Sequence, residues 1–190
     1  MNNTIMIVIG ILVVIYGWYI ILTRRKNQVL ESLSGIDVQL TKRYDLVPNI
    51  LKIAQKFMEH EKSLITEVTA LRAKIPVNYQ HDSKEAVAQY FATSSEMATK
   101  MSNLLMQMEN YPNLKSDQTM LQAQQTYNEV EEHISAARRF YNSSVTELNN
   151  AMIFPGNLIA KLTNIDSLPF YHANATQTQS IDADQVLGAR

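Results

Sequence analysis

Three regimes of apolar and polar residues succeed one another along the chain. Ile5 to Leu22 reads IMIVIGILVVIYGWYIIL and carries no charge. At 1.5 Å per residue that stretch covers roughly 27 Å, close to the ~30 Å hydrocarbon thickness of a bilayer. Tyr16, Trp18 and Tyr19 gather toward its end, where amphipathic rings favour the headgroup level. From residue 24 to about 152 apolar side chains recur every three to four positions. Leu40, Val47, Ala54 and Val68 stand at multiples of seven, and Met120, Tyr127, Ile134, Tyr141 and Leu148 do so again. That spacing is the packing seam of a helical bundle. The Met and Tyr stripes it contains read as core rather than as a ligand groove. The final stretch, HANATQTQSIDADQVLGAR, is polar and aperiodic.

Prolines and caps divide the middle regime. KIPVNYQHDS and ENYPNLKSD are short polar connections. Asp82 or Ser83 with Glu85, and Ser116 with Asp117, supply cap oxygens and first-turn acids before the next apolar run. The pattern predicts helices over 24–75, 83–110, 116–152 and 157–163. The first should leave the membrane as a continuous rod about 75 Å long. The expected fold is all-α: one N-terminal transmembrane helix, then an antiparallel three-to-four-helix bundle with a long first helix. The divisions are 1–23 for the anchor, 24–171 for the bundle and 172–190 for a disordered polar tail.

Pro48 interrupts this first helix within RYDLVPN. It removes an amide donor and crowds the carbonyl four residues back, so a kink is expected there. Asn49, one turn beyond Asp45, and Lys42, facing Asp45, are candidates to soften the cost. Pairing across the Pro76 turn would lay residue 110 beside residue 48, at the membrane-proximal end.

Composition narrows the function classes. The absence of cysteine excludes disulfides, thiolate metal sites, a cysteine nucleophile and a lipidated N-terminal cysteine. A net charge of −1 gives no electrostatic reason to expect nucleic acid. No glycine occurs between Gly35 and Gly156, which argues against hairpin-rich β structure. Arg24, Arg25 and Lys26 follow the apolar segment, whereas no basic side chain precedes it. A cleaved signal peptide would carry its charge on the other flank. The positive-inside rule then puts the N-terminus outside and the bundle in the cytoplasm, anchored by Ile5 to Leu22 with Trp18 near the boundary.

Three motifs carry a family likeness: DVQLTKRYDLVPNI, HEKSLITEVTALRA, and ISAARRFYNSSV followed by FPGNLIAKL and PFY. In this order they resemble the LemA family of bacterial membrane proteins. The resemblance implies an N-terminal transmembrane helix with a small outside terminus, an antiparallel helical bundle and no established enzymatic activity. Arg43, Asp45, Pro48, Asn49, His60, Glu61, Arg139, Tyr141, Asn142, Phe154 and Pro155 are this sequence's matches to the family pattern. Most of them read as architectural. The polar tail departs from that pattern.

Candidate chemistry is sparse. The histidines 60, 81, 133 and 172 form no HExxH, and no phosphate-cradling glycine loop occurs. Register through the turns brings His60 and Glu61 near the level of Glu129, Glu132 and His133. Carboxylate and imidazole at one level of a bundle suggest a di-iron site, but that needs Glu-x-x-His on two helices, whereas Glu129–His133 is spaced i+4 and has no second copy. An ion pair is the simpler expectation, with Lys100 as the partner of Glu61. The sequence therefore favours a membrane-tethered scaffold or adaptor, not an enzyme, needing no cofactor. Its partners would be the lipid bilayer and other proteins or copies of itself. A metal-binding bundle enzyme or sensor is the alternative.

Overall fold

The computed structural model describes residues 2–172 apart from 59 and 77. The stretch read as a disordered tail lies, from 173 onward, outside the described residues. Six helices follow in order: α1 Asn2–Ala54, α2 Lys62–Lys74, α3 Lys84–Met108, α4 Pro112–Lys115, α5 Gln118–Ala151 and α6 Gly156–Leu162. The described residues contain no strand.

α1 changes character along its 53 residues. Its first part presents apolar side chains outward, with Met6 at 70 % and Val13 at 65 % exposure. From Leu22, which is fully buried, one stripe turns inward through Val29, Leu33, Ile36, Leu40, Val47, Ile50 and Ala54. Steps of three and four keep these side chains on one face of a helix.

The expected helix over 24–75 is two helices. α1 continues through Pro48 and ends at Ala54, and the chain turns back across 55–61. The reversal is visible in one hydrogen bond: Arg72 Nε donates to the Tyr44 carbonyl at 3.0 Å, across 28 residues. An unbroken helix would hold those residues about 42 Å apart. The same bond explains how α1 accommodates Pro48. The Tyr44 carbonyl is the acceptor that Pro48 leaves without an amide, and the guanidinium occupies it. Asp45 and Asn49, expected to soften the break, are instead exposed.

The reversal also relocates the turns. Beyond α2, Tyr79 donates to Asp37 at 2.9 Å and His81 Nε2 sits 2.8 Å from the same carboxylate. The Pro76 connection therefore lies back along α1, not at its far end. α3 then runs forward, with Ser94 against Arg43. Counting on from there carries Asn110 past the end of α1, so the Pro112 turn does not pack against Pro48. α5 returns: Arg43 meets Glu131, Arg25 meets Glu147 and Trp18 meets Ala151. The caps act as the sequence suggests, Ser83 accepting from the Ala86 amide at 3.2 Å and Asp117 from the Met120 amide at 2.9 Å. Among the buried residues are Met97, Met101 and Leu104 from α3 and Met120, Tyr141 and Val145 from α5.

Candidate functional site

Midway along the bundle, polar groups converge where the seam pattern would place apolar ones. Arg43 occupies the inward stripe between Leu40 and Val47 and is 1 % exposed. Its Nη2 donates to the Ser94 carbonyl at 2.9 Å and to Ser94 Oγ at 2.5 Å, with Tyr44 Oη at 3.5 Å. Its Nη1 reaches Glu131 Oε1 at 3.2 Å. Ser94, itself fully buried, shares a hydrogen with Tyr171 Oη at 3.0 Å. The node thus joins α1, α3, α5 and the chain after α6.

Residues 141 and 142 hold that last segment in place. Tyr141 Oη donates to the Pro169 carbonyl at 2.8 Å. The Asn142 amide grips the backbone of Tyr171 twice, donating to its carbonyl at 3.0 Å and accepting from its N–H at 2.9 Å. Phe91 stacks on the Tyr171 ring with centroids 4.1 Å apart, and Arg138 lies over the ring at 5.7 Å. A polar cavity of about 170 Å³ opens beside the node, lined by Glu131, Ser135, Arg138 and Tyr171 among others.

Electrostatics match this packing. Burial by itself pulls the Arg43 guanidinium down, but Glu131 and the surrounding tyrosines outweigh it, and the net shift is upward. Burial pushes the Tyr127 hydroxyl up, with Glu131 adding to the effect, and burial raises Tyr141 as well. The node therefore holds a fixed cation, and burial keeps the Tyr127 and Tyr141 phenols protonated. Among the described residues Ser94 Oγ is bonded by the Arg43 guanidinium and the Tyr171 phenol, neither of which is a general base that would activate it as a nucleophile.

A second convergence lies at the other end of α5. Trp18 Nε1 donates to the Ala151 carbonyl at 3.1 Å. Gly156, the first residue of α6, fits against both: a Cβ there would lie 2.0 Å from the Ala151 oxygen and 2.4 Å from Trp18 Nε1. Arg25 pairs with Glu147 and receives support from Gln28 at 2.9 Å, while Arg24 is exposed and Lys26 half-buried.

The motif positions are thus dispersed. Arg43, Tyr141 and Asn142 meet at the node. Pro48 is served by Arg72. Arg139 is exposed and donates to Ser135 Oγ at 3.3 Å. His60 is exposed and Glu61 half-buried in the turn before α2. Phe154 is 74 % exposed and Pro155 half-buried, just before α6. The expected Glu61–Lys100 pair does not form. Because α1 stops at Ala54, Glu61 leaves the seam, and Lys100 pairs with Glu67 at 2.6 Å instead. Nor do His60 and Glu61 join Glu129, Glu132 and His133. Among the described residues no group of three or more His, Asp or Glu side chains converges to hold a metal ion.

A family model described as LemA family matches residues 32–184. The chain belongs to the LemA family. The match takes in all of the LemA motifs quoted above and runs beyond 171, into the stretch read as tail. A search of curated proteins returned no match. Within the LemA region, sequence reasoning missed Arg72, Ser94, Glu131 and Tyr171. A signal existed for one of them: Ser94, like Arg43, falls on a seam position, and a polar residue there requires a buried partner. For Arg72 the orphaned carbonyl demanded a donor without indicating which.

Proposed function

We propose that this LemA family chain is a single-pass membrane protein whose helices form a non-catalytic scaffold or adaptor. Residues 5–22 of α1 cross the bacterial cytoplasmic membrane, the N-terminus lies outside, and the remainder forms an antiparallel three-to-four-helix bundle in the cytoplasm. The observation that carries the reading is the abrupt change along α1. An 18-residue window near its start has a mean hydropathy of 2.7 and is only 6 % buried within the protein. The core helix of a soluble protein would bury such a face. The Trp18–Ala151 bond and the burial of Leu22 argue against a removable leader, since cleavage would strip both from the bundle. Arg24, Arg25 and Lys26 support the orientation. The bundle reading rests on the partners of Arg43, Arg25 and Trp18, whose numbers fall along α5 as they rise along α1.

The scaffold role draws on the chemistry of the node, which fixes helices together and offers no activated nucleophile. Partners would be other proteins or further copies of this chain, engaged by surface side chains such as Val38 and Phe140, both more than half exposed. Crosslinking in intact membranes followed by mass spectrometry tests this. Reproducible protein crosslinks to the bundle are expected; an anchored and a truncated form that both stay monomeric and partnerless would overturn it. Protease added to spheroplasts should leave the region after Arg24 intact, and digestion there would reverse the orientation.

A further inference from the structure

The corner between α5 and α6 is built unlike the other connections of the bundle. It presents Ile153, Phe154, Leu158 and Leu162 at 64, 74, 56 and 82 % exposure. The other long apolar side chains so exposed belong mostly to the first 21 residues of α1. Such a cluster on a water-facing corner would be costly and prone to association.

Its position explains it. Gly156 is wedged against Trp18, and Trp18 Nε1 holds the carbonyl of Ala151. Trp18 precedes Leu22 by one helical turn, about 6 Å along the axis. The corner is therefore level with the last turn of the apolar segment, not with the soluble part of the bundle. The chain beyond α6 shows where the polar side begins: Asn164 and Asp166 line a cavity with Lys26 and Leu30, one to two turns farther along α1. On α1 Arg24 stands between the two levels, and Lys161 is exposed on α6. The order along the axis, from apolar through basic to mixed polar, is that of a bilayer's acyl boundary, anionic headgroups and water.

We propose that the α5–α6 corner is a membrane foot. Ile153, Phe154, Leu158 and Leu162 enter the acyl–headgroup boundary of the leaflet that α1 leaves, and Lys161 meets the lipid phosphates. The proposal rests on the reading of α1 as a membrane span. The occupant is lipid, because the corner is continuous with the exposed apolar face of α1 and pinned to it through Trp18. A chain attached at two points, span and foot, holds its bundle at a fixed angle to the bilayer, which a single flexible anchor would not.

The chain has no cysteine, so single nitroxide labels can be placed without other changes. L162C, L158C, V13C and L121C, all at exposed positions, would be labelled in the full chain. The proteins would be reconstituted into vesicles of phosphatidylethanolamine and phosphatidylglycerol. Collision with oxygen, which enters the bilayer, is compared with collision with a water-soluble nickel chelate. The ratio at L162C and L158C is expected several-fold above that at L121C, near the far end of α5, and below that at V13C. An L162C ratio equal to that of L121C, with V13C still deep, would overturn the foot and leave the span standing. A water-like V13C would overturn both. Spin–spin broadening at L162C that vanishes on dilution with unlabelled protein would assign the corner to a second copy, and would also overturn the proposal.

Discussion

Replacing Glu131 should damage the protein more than replacing Arg43, although Arg43 is the larger and more deeply buried side chain. The reason lies in what each change leaves behind. Arg43 is 1 % exposed, whereas the Glu131 side chain retains 31 % of its surface in solvent. In Glu131→Ala the guanidinium stays where it cannot hydrate and loses its counter-charge. Removing one partner of a buried pair costs about 3–5 kcal/mol, and the partial exposure of Glu131 argues for the lower end, near 3. In Arg43→Met the charge goes and an apolar chain of similar length fills the space. Glu131 turns to water, and Ser94 loses donated hydrogen bonds, at about 1–2 kcal/mol. The double variant strands no charge, so it should resemble Arg43→Met alone. The coupling energy is then about 3 kcal/mol, the whole cost of Glu131→Ala.

Urea unfolding followed by far-ultraviolet circular dichroism on protein in non-ionic micelles measures all three. Uncharged denaturant and detergent avoid screening the pair. At roughly 2–4 °C per kcal/mol for a chain of this size, Glu131→Ala should melt about 6–12 °C below the parent. A Glu131→Ala variant as stable as Arg43→Met, with additive effects in the double, would refute the reasoning. It would mean that the guanidinium hydrates through the adjoining cavity.

Three further outcomes follow from the same contacts. Gly156→Ala sets a Cβ against the Ala151 carbonyl and the Trp18 indole. It should cost about 1–3 kcal/mol and shift the emission of Trp18, the chain's one tryptophan; unchanged emission would count against the wedge. Arg72→Met should cost about 0.5–1.5 kcal/mol in the parent and less in Pro48→Ala, whose new amide reclaims the Tyr44 carbonyl; equal costs in a double-mutant cycle would remove Arg72 from that role. Burial, the first cause in each case, raises Tyr44, Tyr79, Tyr90, Tyr127 and Tyr141 above their ordinary 10.0. Above about pH 10 the unfolded chain sheds protons that the folded one keeps, so stability is complete below that pH and falls above it. Melting temperature against pH, alongside tyrosinate absorbance, reads this, and a profile flat beyond pH 11 would contradict it.

How much of this was legible depends on what each residue had to reveal. The third predicted helix was plain because Met120, Tyr127, Ile134, Tyr141 and Leu148 repeat at sevens, and all five are buried. The reversal at 55–61 was not. QKFMEHE holds neither glycine nor proline, and Ala54, Met58, Ile65 and Val68 keep the apolar phase across it, every one of them buried. Met58 sits in the turn and still fills the core, so periodicity alone could not register a change of direction. Pro48 drew attention as the expected break, yet the Tyr44 carbonyl it leaves without an amide accepts from Arg72, 28 positions farther along the chain. The node was half legible, since a buried arginine at a seam position implies a carboxylate without naming which one.

The two anchoring contacts of Trp18 and Leu22 make the boundary drawn at residue 23 a poor place to cut. Leu22 is fully buried in the bundle, and Trp18 is tied to Ala151 and packed against Gly156. A chain starting at residue 24 loses both, together with the turn of helix that carries them. Burying a leucine contributes about 1.5–3 kcal/mol, and the indole hydrogen bond adds about 0.5–1.5. Truncation at 24 should therefore cost about 2–4 kcal/mol relative to truncation at 17, or about 5–15 °C in melting temperature. Both fragments lack most of the apolar segment, so the comparison reports only how residues 17–23 pack against the rest of the chain. Leu22→Ala in the longer fragment should recover a large part of the difference by itself. Fragments with equal melting temperatures would mean that the last turn of the apolar segment belongs to the membrane alone, and that the bundle begins where the charges do.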